Sequence, residues 1–569
     1  MKSRLCALLS TVETFALVYP NYRTSNDFIL TFLALYIAQY AVLAVYNIFI
    51  YPFYRSPLRH LPGPKNGNIF FGQTLDFVKA EGPNDLLLTW MRQNPDAPII
   101  RYLHMANSEW LLMNSVQACK EVLQTKCYAF EKPAWFRRVV GEIAGVGLVN
   151  TEGDEHRVQR KLLAGPFSLS NIKRLVPGFN DKASELSARI VSTMKENPDE
   201  PIEVAKIFSQ TTLDIVGRAA LGVELGSLST SGSNFSNLYQ CILDQPPAGQ
   251  VISAINMFIP VRNWLPLKAN RDFVHATQEV RRLLREAIRE RKRVIFGNWD
   301  EKMVPKKEYT EEEGRDLLTF MIHEKSEGEN KWSDEDILGH LLNFFAAGHE
   351  TTAGALTWAL LTLCLHPTIQ FRLRAEINTQ IPHSNPPSYT DLESLRYMTN
   401  FIKEVLRCYS PSTLIPRTPS STLTLTCTNP PTVVPASTTI LLNPAILHFN
   451  PTIWGPDAEV FNPERWESDH ESAKDVLGSR DPYALEAFAN GPRICIGRMF
   501  AMLEMKSVLV ELIRNWEMNR GWGRDGSRLR DGEVCEGGVE EGLMGGVKVQ
   551  NFITLKPRNG VWVKFKKID

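Results

Sequence analysis

Cysteine is scarce in this sequence: nine residues, at 6, 119, 127, 241, 364, 408, 427, 495 and 535, are spread over 569 positions. An odd, dispersed set excludes a disulfide framework. The absence of any CxxC, CxxCH or histidine-rich tract removes the usual signals for a structural zinc site or a covalently attached c-type haem. The thiols therefore read as reduced and cytosol-facing. Net charge is missing too, with 63 basic against 63 acidic residues, so there is no electrostatic footprint for nucleic acid. No internal repeat occurs. With 44% hydrophobic and 22% charged residues, the chain is neither disordered throughout nor a polytopic membrane protein. Its length alone would allow several domains.

One long uncharged run is present. Phe28 to Ile50 holds 23 residues without a charge. As a helix it would reach ~34 Å, against ~30 Å for the hydrocarbon layer of a bilayer. A buried helix of a soluble core is the alternative, but such helices seldom run this long without charge, and tyrosines at 36, 40, 46, 51 and 54 suit an interface. A cleavable signal is disfavoured because Leu5 to Tyr19 is interrupted by Glu13. Arg55, Arg59 and Lys65 follow the run with no acid before Asp76, whereas the leader mixes Lys2, Arg4 and Arg23 with Glu13 and Asp27. That bias places the main domain in the cytosol. The expected order is a leader over 1–27, a transmembrane anchor over 28–50, a proline-rich hinge over 51–66 centred on Leu61-Pro62-Gly63-Pro64, and a globule over 67–569.

Apolar periodicity predicts helices around 175–195, 203–222, 268–295, 333–366 and 391–409. Val/Thr/Ile clusters predict strands within 419–444 and near 547–566. The charged stretch 298–315 reads as an insertion. So does 521–546, in which 9 of 26 residues are glycine, expected as a mobile loop.

The run Phe488-Ala-Asn-Gly491-Pro-Arg493-Ile-Cys495-Ile-Gly497 carries the chemistry. A thiolate binding iron from one side needs a turn that brings backbone amides around the sulfur, which favours glycine, and an arginine able to meet an anionic propionate. The helical stretch that follows, Arg498 to Trp516, adds a favourable N-terminal dipole. A lone cysteine is usually an inert buried thiol. Five matched positions, expected by chance in about one chain in ten thousand at average residue frequencies, favour Cys495 as a metal ligand instead.

With this run, the sequence resembles the cytochrome P450 family of haem-thiolate monooxygenases from about residue 57 to its end. The resemblance implies a mainly α fold with small β-sheets (α+β) behind a single N-terminal transmembrane helix. It also implies haem b with Cys495 as proximal ligand, Phe488 beside the sulfur, Gly497 in the same loop and Arg493 on a propionate. Ala347-Gly348-His349-Glu350-Thr351-Thr352 lies in an apolar helical run that opens on a Ser333/Asp336 capping box and stops at Pro367. Read alone, it is either a functional motif or a tolerated polar kink with a back-bonding threonine. In the family it faces the oxygen side of haem: Ala347 and Gly348 leave room for dioxygen, and Glu350 and Thr351 deliver protons.

Glu404-Val-Leu-Arg407 is a weak pattern, repeated at Glu286/Arg289, Glu290/Arg293, Glu312/Arg315, Glu393/Arg396 and Glu511/Arg514. Only Glu404 and Arg407 are followed by Phe461-Asn-Pro-Glu-Arg465-Trp and then the cysteine loop. The family match makes Glu404, Arg407 and Arg465 a structural triad. Arg160, in a segment with His156 where the family more often has Trp, and Arg417 match two further propionate positions.

The implied reaction inserts one oxygen atom from O2 into an apolar small molecule. Electrons would come from NADPH through a separate microsomal reductase, with cytochrome b5 as a further donor, since no flavin-type domain accompanies the chain. The expected pocket is lined by the 130–150 loop, the 247–262 segment, the central helix, Pro411 to Pro416 and the hairpin near Phe552 and Ile553. The style is fungal and suits terpenoid or polyketide tailoring at the endoplasmic reticulum. The competing readings are a haem-thiolate isomerase or dehydratase acting on a peroxide, whose members often lack the acid/alcohol pair, and a non-catalytic haem-binding protein.

Overall fold

The longest helix, Asp334–Leu365, is the axis around which the rest is packed. The expected capping box forms: Ser333 Oγ accepts from the Asp336 amide at 3.1 Å, and Asp336 Oδ2 accepts from the Ser333 amide at 2.7 Å. The helix is buried on nearly every face, as an apolar-all-round helix must be. It ends where Pro367 opens a second helix, Pro367–Gln380, turned by 109°. This is a computed structural model, and it describes residues 2–18, 25–198, 200–229, 232–296, 316–327, 332–382, 385–436, 438–467, 476–523, 543, 547–551 and 554–568. The charged insertion over 298–315 and most of the glycine-rich stretch over 521–546 lie outside the described residues.

The central helix packs against Val204–Leu221 along much of its length. That approach is close enough that a Cβ added to Gly348 would stand 2.9 Å from Val216 Cγ2. Glycine at 348 therefore serves helix packing, beyond the room for dioxygen expected of it. The helix Arg498–Asn515 lies against Leu169–Glu196 and the central helix. The stretch expected as one helix over 391–409 is two, Tyr389–Ser394 and Arg396–Cys408.

The largest sheet has five strands in the order Ile99–Leu103, Glu109–Met113, Thr439–Leu442, Ile415–Pro419 and Phe130–Glu131. Its register sets Arg417 opposite Ile440, so a cation of the later site is carried on a strand. Trp562–Lys567 sits between Ile202–Glu203 and Trp516–Arg520 in a three-stranded sheet. The hairpin Val549–Asn551/Leu555–Pro557 forms a separate pair.

At the amino end, the apolar helix runs Phe28–Arg55 and buries none of its most apolar window. Its last part, Tyr46–Arg55, is a π-helix with Pro52 inside. The helix thus continues five residues past the expected boundary at 50. The wide turn tolerates a proline's missing donor, and tertiary bonds hold the end: Pro52 O accepts from Arg101 Nη2 at 2.6 Å, and Ile48 O accepts from Asn107 Nδ2 at 2.9 Å. The elbow is tight as well. The Arg101 amide donates to Pro62 O at 2.8 Å, and a Cβ at Gly63 would meet Arg101 O at 1.8 Å. The leader helix Lys2–Val18 packs back against the apolar helix, with Gln39 Nε2 donating to Glu13 Oε2 at 2.6 Å.

Candidate active site

The cysteine loop is shaped by its backbone. Ala489 and Gly491 have φ of 52° and 71°. A Cβ on Gly491 would lie 2.2 Å from Leu123 O, so only glycine fits that turn. The Cys495 amide donates to Phe488 O at 2.8 Å, closing the loop, and Arg498–Asn515 begins three residues beyond the sulfur.

A cavity of about 380 Å³ lies between this loop and the central helix. Phe488, Cys495 and Gly497 line it from the loop, and Ala347, Gly348 and Thr351 from the helix. Cys495 is exposed, but to this cavity, since protein encloses it. Burial pushes its thiol up, opposed by the Gly497 amide and the cations Arg160 and Arg498.

Lys132, Arg160, Arg417 and Arg493 also line the cavity. Arg493 donates to Thr151 O at 3.1 Å and pairs with Glu152, which also accepts from Lys132 Nζ at 3.0 Å. The Arg493 Nε is buried without a partner. Burial, with Arg493 adding repulsion, lowers Lys132 to about 8 and Arg417 to about 10. Burial and the cations Arg493, Lys132 and Arg160 lower His156 to about 3, so it is neutral. Four cations thus line the cavity, against the Glu152 carboxylate and a Glu486 carboxyl that burial raises to about 8, a surplus that suits a dianionic ligand. Sequence reasoning missed Lys132 and Glu152, which carry no motif; only the fold brings them to Arg493. A thiol at one wall, small residues on the facing helix and surplus cations together fit a haem.

Thr351 and Glu350 part company. Thr351 reaches the cavity wall and its Oγ1 donates to Ala347 O at 2.6 Å. Glu350 does not line the cavity: its Oε1 accepts from Thr554 Oγ1 at 3.0 Å and meets Lys556 Nζ at 2.6 Å. Adjacent residues on a helix point in different directions, which the motif by itself does not reveal. Of the expected pocket segments, Lys132, Leu148, Val149, Pro411, Ser412 and Ile415 contribute to the wall. The 247–262 segment does not; its helix Pro247–Asn256 is tied to Glu142 through Asn256, and Arg262 Nε also meets Glu142 at 2.9 Å. Phe552 and Ile553 lie outside the described residues.

Glu404, Arg407 and Arg465 come together, fully buried. Arg407 grips Glu404 at 2.9 and 2.8 Å, and Arg465 Nε reaches it at 3.1 Å. Burial favours the neutral acid, but Arg407, Arg465 and the Asn462 amide reverse this and hold the carboxyl below its usual range. By contrast, Glu290/Arg293 is an exposed pair, and Glu393 pairs instead with Lys506. A link that carries no motif joins the triad to the cysteine loop. His448 Nδ1 donates to Arg407 O at 2.8 Å, and its Nε2 accepts from the Glu486 amide at 2.9 Å, two residues before Phe488. Burial, then Arg407, lower His448 to about 3, which fixes this neutral form.

The family model described as Cytochrome P450 matches residues 62–523. Cytochrome P450 monooxygenase sphH of Aspergillus fumigatus is 30% identical over 554 residues, covering 94% of each chain. Cytochrome P450 monooxygenase FUM15 of Gibberella moniliformis is 31% identical over 598 residues, covering 95% of this chain and 97% of the relative. The crystal structure of the cytochrome P450DA heme domain superposes with a TM-score of 0.69 at 20% identity, over 90% of this chain and 98% of that one.

Proposed function

The chain belongs to the cytochrome P450 family of monooxygenases, and from that premise we propose that it holds haem b with the Cys495 thiolate as the iron's protein ligand. Membership implies a haem-thiolate centre. The observation that carries the assignment to these residues is the juxtaposition of the Cys495 sulfur with a cationic cluster around one cavity. Arg160, Arg417 and Arg493 would meet the two propionates, with Lys132 as a fourth cation. Phe488 and the Gly497 amide would flank the sulfur.

When bound, the haem supplies reductive activation of O2, so that one oxygen atom enters the substrate and the other leaves as water, with two electrons and two protons consumed. The chain's own residues do the rest. Leu148, Phe167, Phe344 and Ile415 make the cavity apolar, which favours an apolar organic substrate and excludes water. Thr351 presents a hydroxyl at the wall, and Glu404, Arg407 and Arg465 brace the segment behind the cysteine loop.

Electrons would come from NADPH through a separate reductase, with cytochrome b5 as a further donor. The relatives are fungal, and the proposed reaction is a tailoring step of fungal secondary metabolism on a terpenoid or polyketide. The apolar helix supports a single-pass anchor from residue 28 onward, following a leader over 1–27 and followed by a connector to 66 and a catalytic domain over 67–569. The basic residues after the helix favour the cytosolic face of the endoplasmic reticulum. The test is the ferrous carbon-monoxide spectrum of yeast membranes expressing the protein. The thiolate band is expected in the wild type and lost in Cys495→Ala; an unchanged spectrum in the variant refutes the ligand assignment.

A further inference from the structure

The leader helix Lys2–Val18 and the apolar helix it packs on are sorted inside-out. Cys6, Ser10 and Thr14, at i, i+4 and i+8, are buried against the apolar helix. On that helix Phe32, Leu35, Tyr36 and Gln39 are half-buried along one stripe. Apolar side chains turn the other way: Leu8 is 64% and Val12 60% exposed, and Leu9, Ile29, Leu33 and Ile37 are exposed too. In water an amphipathic pair would hide its leucines and show its serine and threonine. Small and polar residues inside, with apolar ones outside, is the arrangement that hydrocarbon favours. The hydroxyls of Thr11 and Thr14 bond back to Ala7 O at 2.8 Å and Ser10 O at 2.6 Å, so neither depends on water.

Length and charge agree with this sorting. The globule holds the apolar helix from Ile48 onward, through Asn107 on Ile48 O at 2.9 Å and Arg101 on Pro52 O at 2.6 Å. That leaves 28–45 to face lipid, 18 residues that rise ~27 Å, beside a leader of 17 residues that rises ~25 Å. Both fall in the range of about 17–25 residues that crosses a bilayer. Lys2 and Arg4 open the leader, Arg55, Arg59 and Lys65 follow the apolar helix, and Arg23 stands between the two helices. A single crossing would set Lys2, Arg4 and Arg23 across the membrane from the globule. Two crossings bring Lys2 and Arg4 to the globule's side and leave Arg23 alone opposite, the better match to the bias of basic residues toward the cytosol.

We propose that the leader helix is a second membrane-crossing element. With the apolar helix it forms a hairpin whose outer face, including Leu8, Leu9 and Val12, is covered by lipid acyl chains, and whose amino end lies on the same side of the membrane as the globule. The inference rests on the membrane-anchor reading of the apolar helix and extends it from one crossing to two. Glu13, exposed on the pair, is the leader's one acid. Gln39, at the midpoint of the uncharged run, donates to its Oε2 at 2.6 Å and ties the two helices together at that depth.

The test uses the full chain in intact yeast microsomes, with an N-glycosylation acceptor and an epitope carried on a polar spacer, placed either before residue 1 or between the two helices. For the hairpin, the acceptor before residue 1 stays unmodified, and its epitope is lost to protease added without detergent. The acceptor between the helices is glycosylated and its epitope is protected. Glycosylation of the acceptor before residue 1 means a single crossing with the leader in the lumen; it overturns the proposal and leaves the anchor reading intact. An unmodified acceptor between the helices overturns it as well, and release of that protein by alkaline carbonate shows that the anchor reading has failed with it. The haem reading is independent of either result, and its thiolate band is recorded from the same membranes.

Discussion

Replacing Glu404 by Gln removes one charge at a fully buried, densely bonded carboxylate. Five donors converge on it: Arg407 Nη2 at 2.8 Å, the Asn462 amide at 2.9 Å and Arg465 Nε at 3.1 Å on one oxygen, and Arg407 Nε at 2.9 Å and Trp466 Nε1 at 3.0 Å on the other. A glutamine carbonyl can keep the first three, but its NH2 then faces two donors that have no acceptor. Two unmet buried donors cost about 1–3 kcal/mol each. The uncompensated Arg407 charge adds to this, moderated by its bonds to His448 O and Ala458 O, both at 2.6 Å, and to Val460 O at 2.9 Å. Arg465 keeps Asp457 at 3.0 Å.

The net expectation is a loss of about 3–5 kcal/mol. In a domain of this size that is a fall of roughly 6–10 °C in Tm, at about 2 °C per kcal/mol. Because Arg407 O holds His448 and His448 holds the Glu486 amide, the same variant should lose haem content as well as Tm. Calorimetry and haem-to-protein absorbance would be run beside Glu290→Gln, an exposed-pair control expected to change neither. An E404Q protein within about 1 °C of the wild type and with full haem would refute the bracing role of the carboxylate.

Gly491→Ala should abolish haem incorporation while leaving secondary structure intact, since its Cβ would meet Leu123 O at 2.2 Å at a φ of 71°; haem absorbance and circular dichroism of the purified protein check it. Acid sensitivity follows from three buried histidines held neutral, His448 and His156 lowered to about 3 and His340 to about 4, in each case chiefly by burial. The unfolded chain binds their protons below about pH 6.5 while the folded chain does not. Their contribution is therefore fully present above that pH and is lost as pH falls toward 4, by about 1.4 kcal/mol per unit for each histidine. Between pH 6.5 and 5 the loss should be about 4–5 kcal/mol, read from denaturant melts. His340→Leu should lower that slope by roughly a third, and an unchanged slope would contradict the assignment.

What could be read along the chain was whatever depends on neighbours in sequence. The cysteine loop, the Ser333 cap, the Pro367 stop and the long apolar helix near the amino end each follow from short-range geometry or from one helix's length and polarity. The Glu404/Arg407 spacing was visible too, though only its order before Arg465 and Cys495 separated it from the other pairs of the same spacing. Lys132, Glu152, His448 and Lys556 had no such signal. Each acts on a residue tens to hundreds of positions away, and a lone lysine, acid or histidine has no local pattern that distinguishes it from a surface residue.

The direction of Glu350 was equally hidden. The motif placed it beside Thr351, but about 100° of helical rotation per residue sends the two side chains to different neighbours. Packing against the terminal hairpin then decided which neighbour Glu350 would meet. The sequence by itself thus determined the chemistry that the chain can assemble around Cys495. Only the tertiary structure decided which charges surround that chemistry, because burial and long-range pairing are properties of the packed chain and not of any segment within it.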